Sequence, residues 1–526
     1  MFRTAGPRRA TTLAASALAT AAVVATLLPT GAAVADDRAP AAVPPVPARY
    51  AAQELRWQPC EGDPSLQCAD MTVPLDWHHP DSGRDITVVV SRKAAADPSR
   101  RRGVLMTAAG GPGASGLLRI AGLVKDEPEV GAVYDVVSFD QRGVGKSTPV
   151  DCQTAQESQA YWAGDFRDRS PAAVGRVVDN ARALAGNCRD RQGELVRHLT
   201  TDQAARDMDL YRALLGEQKI TYYGASYATM LGAYYATEFP ERLERAVLDS
   251  NIAFADDWQT WEEGQPRSFQ RRFEEDFLPW LAQHDDVYHY GRTPAEAKAT
   301  WERRRAALRE HPLDLGGGKV LDPNHFDFGA SNAIYSAKEG FPGLAQALAA
   351  VEHWDSATAA EKGLVAKVYG GYLSSAFLSD FLSVTCNDTP WNRDADHWKR
   401  QSGRLAARYP LVGARVLAFG AACAAWPQSS APQIKVTGKG LPPVLMLNSL
   451  HDPATYYEGA VRAHRALRGS RLVTVTGGDH GVYRRGSACV ERVVNDYLLE
   501  GKVPERDLTC AGAPLPGATA ISGDGH

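Results

Sequence analysis

The stretch ITYYGASYATMLGAYYATEFPERLERAVLDS, Ile220 to Ser250, constrains the fold more than any other part of the chain. A short β-branched run, KITYYGA, meets a tight turn at Ser226. It is followed by a segment with helical spacing, MLGAYYATEF, and then by a second short apolar run, RAVLDS. Two strands flanking one helix make a βαβ unit, which forces the strands parallel and buries both faces of the sheet. Comparable runs recur as GVLMTAAG, YDVVSFD, PPVLMLNS and RLVTVTGG, with helical stretches such as DQAARDMDLYRALLGE between the early ones. Each run is too short for a helix and suits a buried strand. The expected class is therefore α/β, a mostly parallel sheet with helices on both faces.

The rhythm stops between about Asn251 and Gln433. There the chain is helical and aromatic-rich, as in WQTWEEGQPRSFQRRFEEDFLPW, before PPVLMLNS resumes the sheet pattern. The expected organisation is a core built from residues 51–250 and 434–510, with 251–433 inserted as a helical cap over the C-terminal edge of the sheet. Open α/β sheets bind ligands at that edge.

The ends of the chain read differently. Arg3, Arg8 and Arg9 precede the apolar run LAASALATAAVVATLL, and Ala33-Val34-Ala35 supplies a small-residue cleavage site. Residues 1–35 are expected to be a signal peptide, with a membrane anchor as the competing reading; the Arg8-Arg9 pair leaves Sec and twin-arginine export both open. The proline- and alanine-rich residues 36–50 are expected to form a flexible leader, and 511–526 a flexible tail. No later apolar run reaches the roughly 20 residues that span a bilayer, so no stable membrane association is expected. Lys and Arg total 58 against 62 Asp and Glu, a balance without the basic footprint of a nucleic-acid binder. The eight cysteines form no C-x-x-C pair, so no metal site is expected. Paired in sequence order they close short loops each time: Cys60 with Cys68, Cys152 with Cys188, Cys386 with Cys423, Cys489 with Cys510.

Ser226 stands where strand turns into helix, the context of a nucleophile elbow, although Ala228 replaces the last glycine of G-x-S-x-G. A nucleophilic serine needs a base, and the base needs an orienting acid. Asp452 follows PPVLMLNS and His480 follows RLVTVTGG, in the chain order Ser, Asp, His. Read blandly, Asp452 is a helix N-cap and His480 a solvated loop histidine. Asp249 competes for the role of acid, and His451 and Asp479 flank the favoured pair. Oxyanion donors are expected from the amides of Tyr227 and of Gly111, with Gly110 next, in the loop AAGGPGASG. GPGASG also fits a dinucleotide-binding fingerprint, weakened by its proline, and GVGKS lacks the first glycine of a phosphate loop, so no cofactor is expected.

Taken in order, GGPGASG, SFDQRGVGKSTPVDC, YYGASYATMLGAYYATEFP, TGKGLPPVLMLNSLHDPATYYEGA and GGDHGVY make the chain resemble the secreted tripeptidyl aminopeptidases of actinomycetes. These lie in the prolyl-aminopeptidase-like branch of the α/β-hydrolases, and the resemblance runs from about Trp57 to Cys510. It implies Ser226 as nucleophile, Asp452 as acid, His480 as base, and peptide substrates with free N-termini; it leaves oligomeric state open. The family's usual glycine at 228 and Asn-Pro at 108–109 are here Ala228 and Ala108-Ala109. It also implies cap carboxylates that receive the substrate amine, for which Glu262, Glu263, Glu274 and Glu275 are the candidates, against a reading as solvated surface charges. The alternatives are an esterase or small-molecule amidase on the same triad, and a binding protein that kept the fold without activity.

Overall fold

The computed structural model describes residues 46–370, 373–427 and 433–519. The expected signal segment and the first part of the leader lie outside them. The strands are β1 (Gln58–Cys60), β2 (Asp63–Pro74), β3 (Asp85–Lys93), β4 (Val104–Ala108), β5 (Asp135–Phe139), β6 (Ile220–Ser226) and β7 (Leu243–Asn251). A small ribbon follows, β8 (Leu313–Gly316) with β9 (Lys319–Leu321), and then β10 (Val444–Ser449), β11 (Arg471–Thr476) and β12 (Leu508–Ala511). Ten of these make one sheet in the order β1-β2-β3-β5-β4-β6-β7-β10-β11-β12. The β1–β3 edge pairs antiparallel, up to and including β3 with β5. From β5 through β12 every neighbouring pair is parallel. Every residue of β4 and β10 is buried, as a parallel strand covered on both faces requires.

A polar clamp closes one side of the sheet. Arg142 is buried and forks onto Asp207, with Nε to Oδ2 at 2.8 Å and Nη2 to Oδ1 at 2.7 Å, while Nη1 donates to the Leu75 carbonyl. Planar two-point pairing suits arginine, but removing one partner strands a buried charge. Asp207→Ala is therefore expected to lose about 3–5 kcal/mol of stability, read as a lower urea midpoint.

The segment between β7 and β10 is mostly helical and has its own aromatic core, including Phe273, Phe277, Trp280, Trp301, Phe326 and Phe341. Trp301 stacks on Phe326 with centroids 4.0 Å apart, and Phe277 meets Phe341 edge-on at 5.1 Å. Such rings bury the largest areas available to side chains, which accounts for the aromatic bias of this stretch. Disulfides join Cys60 to Cys68, Cys152 to Cys188, Cys386 to Cys423 and Cys489 to Cys510.

Both expected flexible ends need correction where they are described. Ala48–Ala51 is a helical turn whose Tyr50 is buried against Trp77 and donates to Asp85 Oδ1 at 2.6 Å. Residues 511–519 continue from β12 onto the inserted helices, where Trp280 Nε1 donates to the Pro516 carbonyl at 2.7 Å and Thr519 N donates to the Tyr288 hydroxyl at 3.0 Å. Composition hides this because the tail contributes backbone acceptors and donors, while the ring polar groups that need partners lie more than two hundred residues away.

Candidate active site

β6 ends at Ser226 and a helix, Tyr227–Glu238, begins at the next residue. Ser226 has φ 62° and ψ −130°, a strained region for a residue with a Cβ, and its hydroxyl makes no capping bond to the helix. Strain of this kind costs on the order of 1–3 kcal/mol and persists where surrounding structure enforces it, typically at functional sites. The enforcement is visible here. A Cβ on Gly224 would come within 2.7 Å of the Ala228 carbonyl and of the Tyr222 ring, so strand and helix approach closely through Gly224. The Ala228 methyl is fully buried, and its carbonyl accepts from Tyr222 Oη at 2.7 Å. The altered elbow thus accommodates the methyl that Ala228 adds.

Asp452 and His480 come from the loops after β10 and β11, which are neighbours in the sheet. His480 Nδ1 lies 3.0 Å from both Asp452 oxygens. Asp452 is fully buried and also accepts from the Ala454 and Thr455 amides and from Thr455 Oγ1, at 2.8–2.9 Å. These donors fix the plane of the carboxylate. The helix beyond begins at Tyr457 with Tyr456 as its N-cap, so Asp452 does not cap it. A Nδ1–H donated to Asp452 leaves the lone pair of His480 on Nε2, the tautomer a general base needs.

The loop carrying His480 is tied to the strand beside Ser226. Asp249, at the end of β7, accepts from the Val482 and Tyr483 amides at 3.0 Å and from Tyr223 Oη at 3.2 Å. The Gly481 amide donates to Ser250 Oγ at 2.7 Å, and β7 pairs with β6 up to Ser226 itself. Burial pushes the Asp249 pKa up, and the two amides oppose it. Asp249 is thereby occupied in anchoring the loop, with His480 paired elsewhere. His451 and Asp479 also turn away from the pair: His451 Nδ1 meets Asp276 Oδ1 at 2.9 Å, and Asp479 Oδ1 accepts from Arg272 Nη2 at 2.6 Å.

The glycine-rich loop after β4 lies against Ser226. A Cβ on Gly110 would sit 3.0 Å from Ser226 Cβ, 3.1 Å from the Ala225 carbonyl and 3.4 Å from Ser226 Oγ. Gly111 has φ +114° and packs under Phe377. Asp140 is fully buried and laces both glycine-rich stretches together, accepting from Ser115 Oγ at 2.6 Å, the Gly116 amide at 2.8 Å and the Lys146 amide at 2.9 Å. GVGKS and GPGASG therefore brace one loop. Gly110→Ala is expected to nudge the serine and lower kcat on the order of 10-fold with little change in unfolding midpoint, less than the roughly 100-fold that a full 1 Å misplacement of a reacting group costs.

The structure separates the four glutamates. Glu263 bonds Gln259 and Gln401, Glu274 pairs with Lys298 and Gln270, and Glu275 is exposed, so these three behave as surface charges. Glu262 alone among the four is buried, at 2% exposure, and has no hydrogen-bond or ion-pair partner among the described residues. Burial pushes its pKa up to about 7, opposed by the Arg415 guanidinium and reinforced by Glu263. It lies on the helix Trp258–Arg271, whose Gln265 donates to the Ala454 carbonyl at 2.8 Å and whose Ser268 donates to the Asp452 carbonyl at 2.5 Å. Residues three and seven positions on share its face. Of these, Gln265 reaches the Asp452 loop, and Phe269 meets Tyr335, which packs edge-on against His480. The Tyr161 hydroxyl, whose pKa the Glu262 charge helps to raise, and the Trp261 indole N–H are likewise buried without partners among the described residues.

Several contributors have no motif of their own. Thr455 holds Asp452. Asn448 donates to the Thr455 carbonyl at 3.0 Å and accepts from the Asn251 amide at 2.6 Å, and the Tyr335 carbonyl accepts from the His480 amide at 2.7 Å. The one available signal was the polar residues Asp249, Asn251 and Asn448 at the ends of otherwise apolar strands.

Comparison with known proteins bears on the family. Residues 106–313 match the model of the alpha/beta hydrolase fold and residues 409–510 that of TAP-like proteins. The tripeptidyl aminopeptidase of Streptomyces lividans is 35% identical over 484 residues, covering 89% of each chain. Serine protease Hip1 of Mycobacterium tuberculosis is 28% identical over 491 residues, 87% of this chain and 91% of that one. Carboxylesterase B of the same species is 30% identical over 469 residues, 85% and 86% of the two chains. With a strand-to-helix serine, a buried Asp–His pair and this identity over nearly the whole length, the chain belongs to the tripeptidyl-aminopeptidase-like family of α/β-hydrolases and is a serine peptidase.

Proposed function

We propose that the protein is a secreted exopeptidase that releases short peptides, tripeptides by its family likeness, from free N-termini. Ser226 Oγ attacks the scissile carbonyl while His480 Nε2 takes its proton, and Asp452 stabilises the imidazolium that forms. The amides of Tyr227 and of Gly111 or Gly110 receive the oxyanion, each such donor being worth roughly 3–4 kcal/mol where measured. His480 then gives its proton to the departing amine. Water, deprotonated by the same histidine, attacks the acyl-enzyme to free the peptide and restore Ser226.

The observation that carries the exopeptidase reading is Glu262. A buried carboxylate without a partner is costly unless something cationic arrives to pair with it, and the α-ammonium of a peptide is such a group. Export is supported by the four disulfides, and among the described residues no helix is long and apolar enough to cross a membrane.

The test is digestion of matched peptides with free and N-acetylated termini, read by mass spectrometry. Tripeptides released from the free series alone are expected. Equal cleavage of both series, or hydrolysis of simple esters with no peptide release, would reject the exopeptidase in favour of an endopeptidase or an esterase.

A further inference from the structure

The residues immediately before Asp452 and His480 converge on one buried arginine that the chemistry above does not use. The helix Trp258–Arg271 runs into a π-helical turn, Arg272–Phe277, a rare distortion that is frequent at functional sites. Arg272 is the first residue of that turn, with a side chain 1% exposed. Its Nη1 donates to Asp276 Oδ2 at 2.8 Å, its Nη2 to Asp479 Oδ1 at 2.6 Å, and its Nε to the Ile334 carbonyl at 3.1 Å. Asp276 holds His451, the neighbour of Asp452, through Oδ1 at 2.9 Å. Asp479, the neighbour of His480, also accepts from the Ala337 amide at 2.8 Å. The fit is close: a Cβ on Gly478 would fall 2.3 Å from Arg272 Nη1.

One guanidinium thus ties the loop of the acid and the loop of the base to the same turn of the inserted helices. We infer that Arg272 is a positioning residue: through Asp276 and Asp479 it sets the separation of Asp452 and His480, so the pair is assembled only while the inserted region is seated. The inference rests on the triad reading given above. Only arginine presents a rigid planar fork able to bridge two carboxylates and a carbonyl at once. The inserted helices then do more than restrict access to the site, because the His480 ring is aimed from their side as well as from β7.

The test compares the full-length wild-type protein with Arg272→Lys and Arg272→Met, each confirmed folded by circular dichroism, with Ser226→Ala as the blank. Lysine keeps one ion pair and loses the fork, so it carries the test should the methionine variant fail to fold. Expected for lysine is a kcat loss of about 10-fold, and for methionine about 100-fold, with KM within about threefold of wild type. Fluorophosphonate labelling of Ser226 should slow by the same factors. The acid limb of the fluorophosphonate labelling rate, which follows the free-enzyme base with no peptide amine for Glu262 to bind, should move down by about half a pH unit or more as the Asp452–His480 contact loosens. A purely structural role would lower the amount of active protein and leave that limb unmoved. Folded variants with wild-type kcat, labelling rate and acid limb, or with only KM raised, would overturn the inference. A wild-type protein that resists labelling would instead overturn the triad on which it rests.

Discussion

Ser226→Ala is expected to lower kcat on peptide substrates by about 10⁶-fold, the loss that follows removal of a nucleophile in a serine peptidase. The loss should appear in kcat with KM little changed, because the serine hydroxyl makes its decisive bond in the transition state. Stability should hardly move. The hydroxyl takes no part in capping the following helix, and alanine at φ 62° inherits the same backbone strain. Ser226→Gly provides the contrast, since glycine tolerates positive φ and should be at least as stable as the alanine variant while equally inactive. Asp452→Ala should cost less, about 10⁴-fold, because His480 can still act without its orienting partner. Steady-state kinetics on purified, folded variants check all three.

Glu262→Gln should act on binding and leave the chemical step alone. A charge-assisted hydrogen bond contributes about 1.5–3 kcal/mol, so KM for free-amine peptides should rise on the order of 10–100-fold with kcat little altered. N-acetylated substrates should show no such change.

The pH dependence follows from the Glu262 pKa of about 7. Below that value the free enzyme's carboxyl is protonated and loses its attraction for the ammonium, so KM rises as pH falls. Above about 8 the peptide amine itself loses its proton, and KM rises again. The tightest window should therefore lie between those limits, and it should flatten on its acid side in the glutamine variant.

Stability runs the other way. A group whose folded pKa is raised stabilises the fold while protonated, and that contribution fades as pH climbs from the ordinary 4.5 to about 7. At pH 8 the buried, ionised Glu262 costs on the order of 3 kcal/mol relative to an unfolded chain, each pKa unit being worth about 1.4 kcal/mol. Glu262→Gln is accordingly expected to melt higher than wild type at pH 8 and to gain much less at pH 5. A residue kept at a cost in stability and needed for binding is the usual signature of a functional site.

The local features of the fold and site are readable from the chain. Strand, turn and helix around Ser226 are contiguous, and the order of Ser226, Asp452 and His480 needs only the strand rhythm to place all three at one sheet edge. The choice between Asp452 and Asp249 was less accessible. Both end apolar strands, and only the spatial order β7-β10-β11 shows that Asp249 faces the amides beyond His480 while Asp452 faces its ring. Glu262 and Glu263 differ by one helical step of about 100°, so full burial of one and partial exposure of the other depends on what packs against the helix Trp258–Arg271. Arg272 was hidden for the same reason: its partners at 276 and 479 lie near and far in sequence, and nothing in either motif announces the pair. The tail shows the converse error, in which low-complexity composition concealed backbone groups that Trp280 and Tyr288 require.

A tripeptidyl phosphonate ester, prepared with a free and with an acetylated amine, distinguishes a serine peptidase that reads a free N-terminus from one that does not. Each form is incubated with the protein, and the phosphonylated residue is located by peptide mass mapping. A single adduct on Ser226 is expected, formed about 10–100-fold faster with the free amine, an advantage that Glu262→Gln removes. An adduct on another residue, or equal rates for the two forms on wild-type protein, would contradict it.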